Sequence, residues 1–84
     1  MGYEIQFKES AVKELKKISK PDAKSILLKI IENLSRNPES YPALKGDLRG
    51  MKKLRFGDYR IIFTVEKKLV LILRVGQRKD IYVG

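Results

Sequence analysis

The chain has 84 residues, 43% of them hydrophobic and 35% charged, with 19 Lys+Arg against 10 Asp+Glu and a formal net charge of +9. A chain of this size supports one small domain, residues 1–84, and not two. It contains neither cysteine nor histidine, which excludes disulfides, thiolate and imidazole metal ligands, and Ser-His-Asp or Cys-His triads. No run approaches the ~18 apolar residues that cross a bilayer. The opening MGYEIQFKES lacks the apolar core of a signal peptide, so a cytoplasmic location without membrane contact is expected.

Tyr3-Glu4-Ile5-Gln6-Phe7-Lys8 alternates apolar and polar residues, the mark of a half-buried strand. Ser10 is placed to cap a helix after it, in which Ala11, Leu15 and Ile18 form the inward stripe and Lys13, Glu14, Lys16 and Lys17 face away. Ser19 with Asp22 resembles a capping box, and Pro21 suits the first turn of a second helix. Ala23, Ile26, Leu27, Ile30, Ile31 and Leu34 are its apolar stripe, and Asn37-Pro38 ends it. Pro38, Pro42, Gly46 and Gly50 mark residues 37–50 as a long loop. Strands are then predicted near 51–56, 59–66 and 69–75, with a short extended piece at 80–83. The order β-α-α-β-β-β predicts an α+β fold, with two helices packed on one face of a small antiparallel sheet.

The basic excess has a direction: residues 1–50 hold ten Lys/Arg against seven Asp/Glu, and residues 51–84 hold nine against three. A basic face on a small domain points to a polyanion, nucleic acid first. Gly57-Asp58 between two strand runs predicts a type II′ turn pairing Phe56 with Tyr59, Arg55 with Arg60, Leu54 with Ile61 and Lys53 with Ile62. Opposed residues share a face. Leu54, Phe56, Tyr59, Ile61, Phe63 and Val65 then turn to the helices, and Lys53, Arg55 and Arg60 turn away. A second turn at Lys67-Lys68 sets Ile62 opposite Leu73 and Arg60 opposite Val75. On this register Ile62, Leu71, Leu73 and Val75 form an uncovered apolar patch beside the cations, a surface for a partner segment. Arg78 follows just past the last strand, near Arg55 and Arg60, and Tyr82 can return to the same place. The plain alternative is that Asp58 and Asp80 neutralise these arginines. It is the better reading for any one arginine and the weaker one for the cluster with Lys53.

The run Leu48-Arg49-Gly50, then Leu54-Arg55-Phe56-Gly57-Asp58-Tyr59-Arg60-Ile61-Ile62-Phe63, then Leu73-Arg74-Val75-Gly76-Gln77-Arg78-Lys79-Asp80-Ile81-Tyr82, resembles the RelE/ParE superfamily of toxins from type II toxin–antitoxin systems. It is closer to the RelE branch, and the likeness spans nearly the whole chain. The resemblance implies an mRNA interferase that cuts mRNA in the ribosomal A site without metal or cofactor. The RNA 2′-hydroxyl is then the nucleophile, and a cyclic phosphate is left. Matched by motif, Arg60, Arg78, Tyr82 and Lys53 are the implied catalytic residues. Arg55, Lys52 and Lys79 are candidate RNA- and phosphate-binding residues. A further family lysine falls on Met51 here, and Lys52 beside it has the opposite strand parity. The sequence ends at Gly84, short of a C-terminal helix that some relatives carry. The implied partners are mRNA on the ribosome and a RelB-like antitoxin. An acidic, amphipathic antitoxin segment would cover Ile62, Leu71, Leu73 and Val75.

The composition suits this chemistry. RNA supplies its own nucleophile, and fixed Arg and Lys stabilise the extra negative charge on a pentavalent phosphate by charge-assisted hydrogen bonds. Cations gathered around Tyr82, as the resemblance implies, would lower its pKa below the ordinary ~10 and favour it as a base. Two other functions stay open: a ParE-like poison of DNA gyrase, and a basic RNA-binding module without catalysis.

Overall fold

The computed structural model describes residues 2–44 and 50–77. In chain order its elements are strand β1 (Glu4–Phe7), helix α1 (Glu9–Lys16), helix α2 (Lys20–Leu34), a 3-10 turn (Pro38–Ser40), and strands β2 (Lys52–Phe56), β3 (Tyr59–Glu66) and β4 (Leu69–Gln77). The extended piece expected at 80–83 lies outside the described residues.

The α+β order is as expected, and the sheet is mixed rather than wholly antiparallel. Its strand order is β1-β4-β3-β2. The β2–β3 and β3–β4 pairs are antiparallel hairpins. β1 lies at the edge beside β4 and pairs parallel to it, Glu4 with Leu69 through Phe7 with Ile72, while the two helices carry the chain from β1 across to β2 at the opposite edge. A crossover that carries the chain back along one face permits this, where a tight turn would not.

Helix caps differ from the sequence expectation. α1 starts after Lys8, two residues earlier than a Ser10 cap requires, and Ser10 Oγ donates instead to the Leu73 carbonyl (2.8 Å). Ser19 does stand at the N-cap of α2, with Pro21 in the first turn, but its side chain makes no capping bond. The capping box is not formed, because Asp22 accepts a hydrogen bond from the Tyr59 hydroxyl (2.9 Å). At the other end Asn37-Pro38 stops the helix, and a buried Pro38 opens the 3-10 turn.

Ile26, Ile30 and Leu34 recur every fourth residue on α2 and are fully buried. They meet Ala11 of α1 and Leu54, Ile61, Phe63, Val70, Ile72 and Val75 of the sheet. The stripe is narrower than predicted: Ile31 is 52% exposed, as is Leu28. Tyr41, just after the 3-10 turn, packs edge-on against Phe63 (centroids 6.0 Å, 79°). Residues 42–44 then run beside β2, with Leu44 N–H donating to Met51 (2.8 Å) and Ala43 bridging Lys52. That short bridge covers an edge that would otherwise offer unpaired backbone groups. Among the described residues no helix is long and apolar enough to cross a membrane.

Candidate active site on the open sheet face

The β2–β3 hairpin is built as its sequence dictates. Gly57 has φ +59° and Asp58 has no positive φ, the pattern of a turn with glycine in its first position. The pairs are Phe56–Tyr59, Arg55–Arg60, Leu54–Ile61 and Lys53–Ile62. Leu54, Ile61 and Phe63 are buried against the helices. Lys53, Arg55, Arg60 and Ile62 therefore share the opposite face. On it Arg55 is exposed and Lys53 half-buried. Arg60 is only 9% exposed and is the one buried charged side chain among the described residues. Two arginines directly opposed across a ladder repel. The fold maintains this juxtaposition without relaxing it to the rim.

The β3–β4 hairpin departs from the expected register halfway along. The Lys67-Lys68 turn forms, with Lys67 at φ +57°, and the ladder runs as predicted from Glu66–Leu69 to Phe63–Ile72. There the register shifts: Ile62 opposes Arg74, Ile61 opposes Val75, and Arg60 opposes Gly76. Leu73 is the extra residue of a β-bulge. The expected pairs Ile62–Leu73 and Arg60–Val75 are thus replaced.

A one-residue shift exchanges faces. Val75 lies with Ile61 in the core, fully buried, and is not part of an outer apolar patch. The physical reason is plain: an uninterrupted ladder would turn Arg74 into the core and Val75 to water, a costly exchange of charge for a valine. Ile62 is on the open face as predicted, but at 3% exposure it presents little surface to a partner. Leu71 and Leu73 are half-buried. The large apolar side chains that are exposed, Val12, Leu28 and Ile31, belong to the helices.

Lys52 also departs from its expected role. Its ammonium donates to the carbonyls of Tyr41 (2.9 Å) and Glu39 (3.3 Å), tying the 3-10 turn to β2. It braces the loop, and its pairing with Phe63 sets it on the face opposite Lys53 and Arg55. Arg78, Lys79 and Tyr82 lie outside the described residues. Of the expected catalytic set, Arg60 and Lys53 therefore share one described face, with Arg55 beside them.

Several contacts carry no strong local signal. Glu14 of α1 accepts from Arg74 Nη2 (2.8 Å) and Nε (3.0 Å) and from the Val75 N–H (2.8 Å). These bonds hold the Arg74 guanidinium protonated above its ordinary range. The hydrogen bond to Asp22, with lesser effects from lost hydration and from the charges of Asp22 and Asp58, raises the pKa of the Tyr59 hydroxyl. Glu14, expected to face away with Lys13, Lys16 and Lys17, is half-buried against β4; it follows the buried Ala11 by three positions, and that helical spacing was the available clue.

An open polar cavity of about 530 Å³ lies on the helix side, between the end of α2 and the 3-10 turn, lined by Lys29, Glu32, Arg36 and Tyr41 among others. It mixes both signs of charge and holds none of the clustered cations, so the sheet face is the better candidate site. Among the described residues no three His, Cys, Asp or Glu side chains are grouped to hold a metal ion.

Comparison with known proteins agrees with this geometry. The family model for the ParE toxin of type II toxin–antitoxin systems matches residues 5–82. The mRNA interferase toxin RelE of Escherichia coli is 34% identical, over 94% of this chain and 86% of its own. Among solved structures, the RelBE2 toxin–antitoxin complex of Mycobacterium tuberculosis superposes with a TM-score of 0.86 at 27% identity, covering 93% of each chain. The archaeal RelE–RelB complex of Pyrococcus horikoshii superposes with a TM-score of 0.66 at 28% identity, covering 93% of this chain and 97% of its own.

Proposed function

The chain belongs to the family of ParE toxins of type II toxin–antitoxin systems, and we infer from that premise that it is an mRNA interferase of the RelE branch. The observation that carries this reading is the buried Arg60 set opposite Arg55, with Lys53 on the same sheet face. A gyrase poison needs no such phosphate-stabilising cluster. The likeness to the Escherichia coli mRNA interferase supports the same choice.

In the proposed reaction the RNA 2′-oxygen bonds to the adjacent phosphorus and the P–O5′ bond breaks. The products carry a 2′,3′-cyclic phosphate and a 5′-hydroxyl. The 2′-proton passes to a base and the leaving 5′-oxygen gains a proton, so the step balances without a co-reactant. Arg60 and Arg78 stabilise the extra charge on the pentavalent phosphate, where fixed donors in a site of low dielectric have their greatest effect. Tyr82 is the proposed base. Lys53 acts on the leaving oxygen, and Arg55 and Lys79 hold flanking phosphates.

The proposed partners are ribosome-bound mRNA and an antitoxin, the antitoxin being the kind of partner present in the solved RelBE2 and RelE–RelB complexes. Of the four apolar residues expected to meet the antitoxin, Leu71 and Leu73 are the half-buried ones left once buried Val75 and Ile62 are accounted for, and exposed Val12 of α1 is proposed to extend that surface. The decisive experiment incubates the purified chain with programmed ribosomes and maps the mRNA ends. Cleavage on ribosomes with 2′,3′-cyclic phosphate termini is expected. Intact mRNA together with arrested gyrase supercoiling would replace this reading with the gyrase one.

A further inference from the structure

We propose that α1 sets the register at the end of β4 through two side chains, Ser10 and Glu14, and so positions Arg60. The consequence for cleavage rests on the function proposed above; the register itself does not.

β1 accompanies β4 only as far as the Phe7–Ile72 pair, with the Lys8 N–H donating to the Ile72 carbonyl (2.8 Å). Beyond that point no strand among the described residues borders the outer edge of β4, and its polar backbone groups need other partners. α1 provides them from side chains. Ser10 Oγ donates to the Leu73 carbonyl (2.8 Å), Glu14 Oε1 accepts the Val75 N–H (2.8 Å), and Glu14 Oε2 accepts from the Arg74 guanidinium (2.8 Å).

These three consecutive residues are those of the bulge. Leu73 is the inserted residue, and Arg74 and Val75 are the first two of the shifted register. Without the shift, Val75 would stand opposite Arg60 with its side chain on the same face. With it, the residue opposite Arg60 is Gly76, which has no side chain. Bulges re-aim side chains where a strand passes a functional site, and here the device is fastened from a helix far away in sequence. Ser10 and Glu14 are thus positioning residues for Arg60; neither touches the RNA.

The test uses the whole chain and four proteins: wild type, Glu14→Ala, Glu14→Gln and Ser10→Ala. Glu14→Gln keeps a side-chain oxygen for the Val75 N–H. Two readouts are taken. Amide exchange and cross-strand NOEs follow Val75 and the Arg60–Gly76 pair, and single-turnover cleavage of ribosome-bound mRNA separates kcat from KM. In Glu14→Ala, Val75 exchange should accelerate relative to Val70 and the Arg60–Gly76 NOEs should weaken. Its kcat should fall by about 10- to 100-fold, the scale of a small misplacement of a reacting group, with KM unchanged. Glu14→Gln should recover most of both, and Ser10→Ala should show a smaller loss of the same kind. A folded Glu14→Ala protein with unchanged Val75 exchange and unchanged kcat overturns the proposal. If Glu14→Ala does not fold, the Glu14→Gln and Ser10→Ala proteins decide it: wild-type Val75 exchange in Ser10→Ala overturns the proposal that α1 sets this register. If the wild-type chain cuts no mRNA, the function reading fails by itself. The register claim then stands or falls on the exchange and NOE data alone.

Discussion

Truncating Val75 distinguishes the bulged register from the uninterrupted one. Val75 is fully buried among Ile61 and the other core residues. Val75→Ala removes two methyl-sized groups, each about 0.8 kcal/mol of burial, and leaves part of the space unfilled. The expected loss is about 1.5–3 kcal/mol, or a fall in Tm of roughly 6–24 °C for a domain of this size. Leu71→Ala deletes a larger group, but from a half-buried position, and should cost less. An uninterrupted ladder reverses that order, because Val75 would then face outward beside Leu71. Urea unfolding of both variants, read as shifts in midpoint at constant m, gives the comparison directly. A Val75→Ala cost below about 0.5 kcal/mol, or below that of Leu71→Ala, refutes the reasoning. The same result bears on the antitoxin: Val75→Ala should weaken the complex only as far as it loosens the fold, whereas Leu71→Asp and Leu73→Asp should weaken it in folded protein.

Arg60→Ala should reduce single-turnover cleavage by about 10²–10³-fold, the usual effect of removing one fixed donor from a developing oxyanion. Arg60→Lys retains the charge but not the planar fork and should fall between; wild-type rates in a folded Arg60→Ala protein would exclude Arg60 from the site. The Tyr59 pKa lies above its ordinary value because the protonated hydroxyl donates to Asp22. The contribution to stability is therefore full below pH 10 and lost as pH rises through the folded-state value. Absorbance titration near 295 nm should show one late tyrosine that shifts down in Asp22→Ala, and an unchanged titration would dismiss the contact. Lys67 sits at φ +57° in an exposed turn, so Lys67→Gly should stabilise the fold by about 0.5–1 kcal/mol in chemical denaturation, relief of the left-handed conformation exceeding the entropy of glycine. A destabilised Lys67→Gly protein would contradict that.

Much of this protein is written locally. Alternation marked the strands, Gly57-Asp58 marked a hairpin whose register is as read, and that register alone grouped Lys53, Arg55 and Arg60 on one face. The period of Ile26, Ile30 and Leu34 marked the inward side of α2. Such features follow from spacing, because side-chain direction repeats with the backbone. The parallel placement of β1, the occupation of Lys52 by the 3-10 turn, and the bulge at Leu73 did not follow from spacing. Each depends on which polar groups meet at a strand edge, and those groups come from distant parts of the chain: the Glu14 carboxylate and the Val75 N–H are 61 residues apart. Alternation continued unbroken would place Val75 beside Arg60, since a period of two contains no information about an inserted residue. Only the packed structure, in which burying Val75, keeping Arg74 out of the core and satisfying the edge of β4 beyond β1 all demand the same shift, decides what stands opposite Arg60.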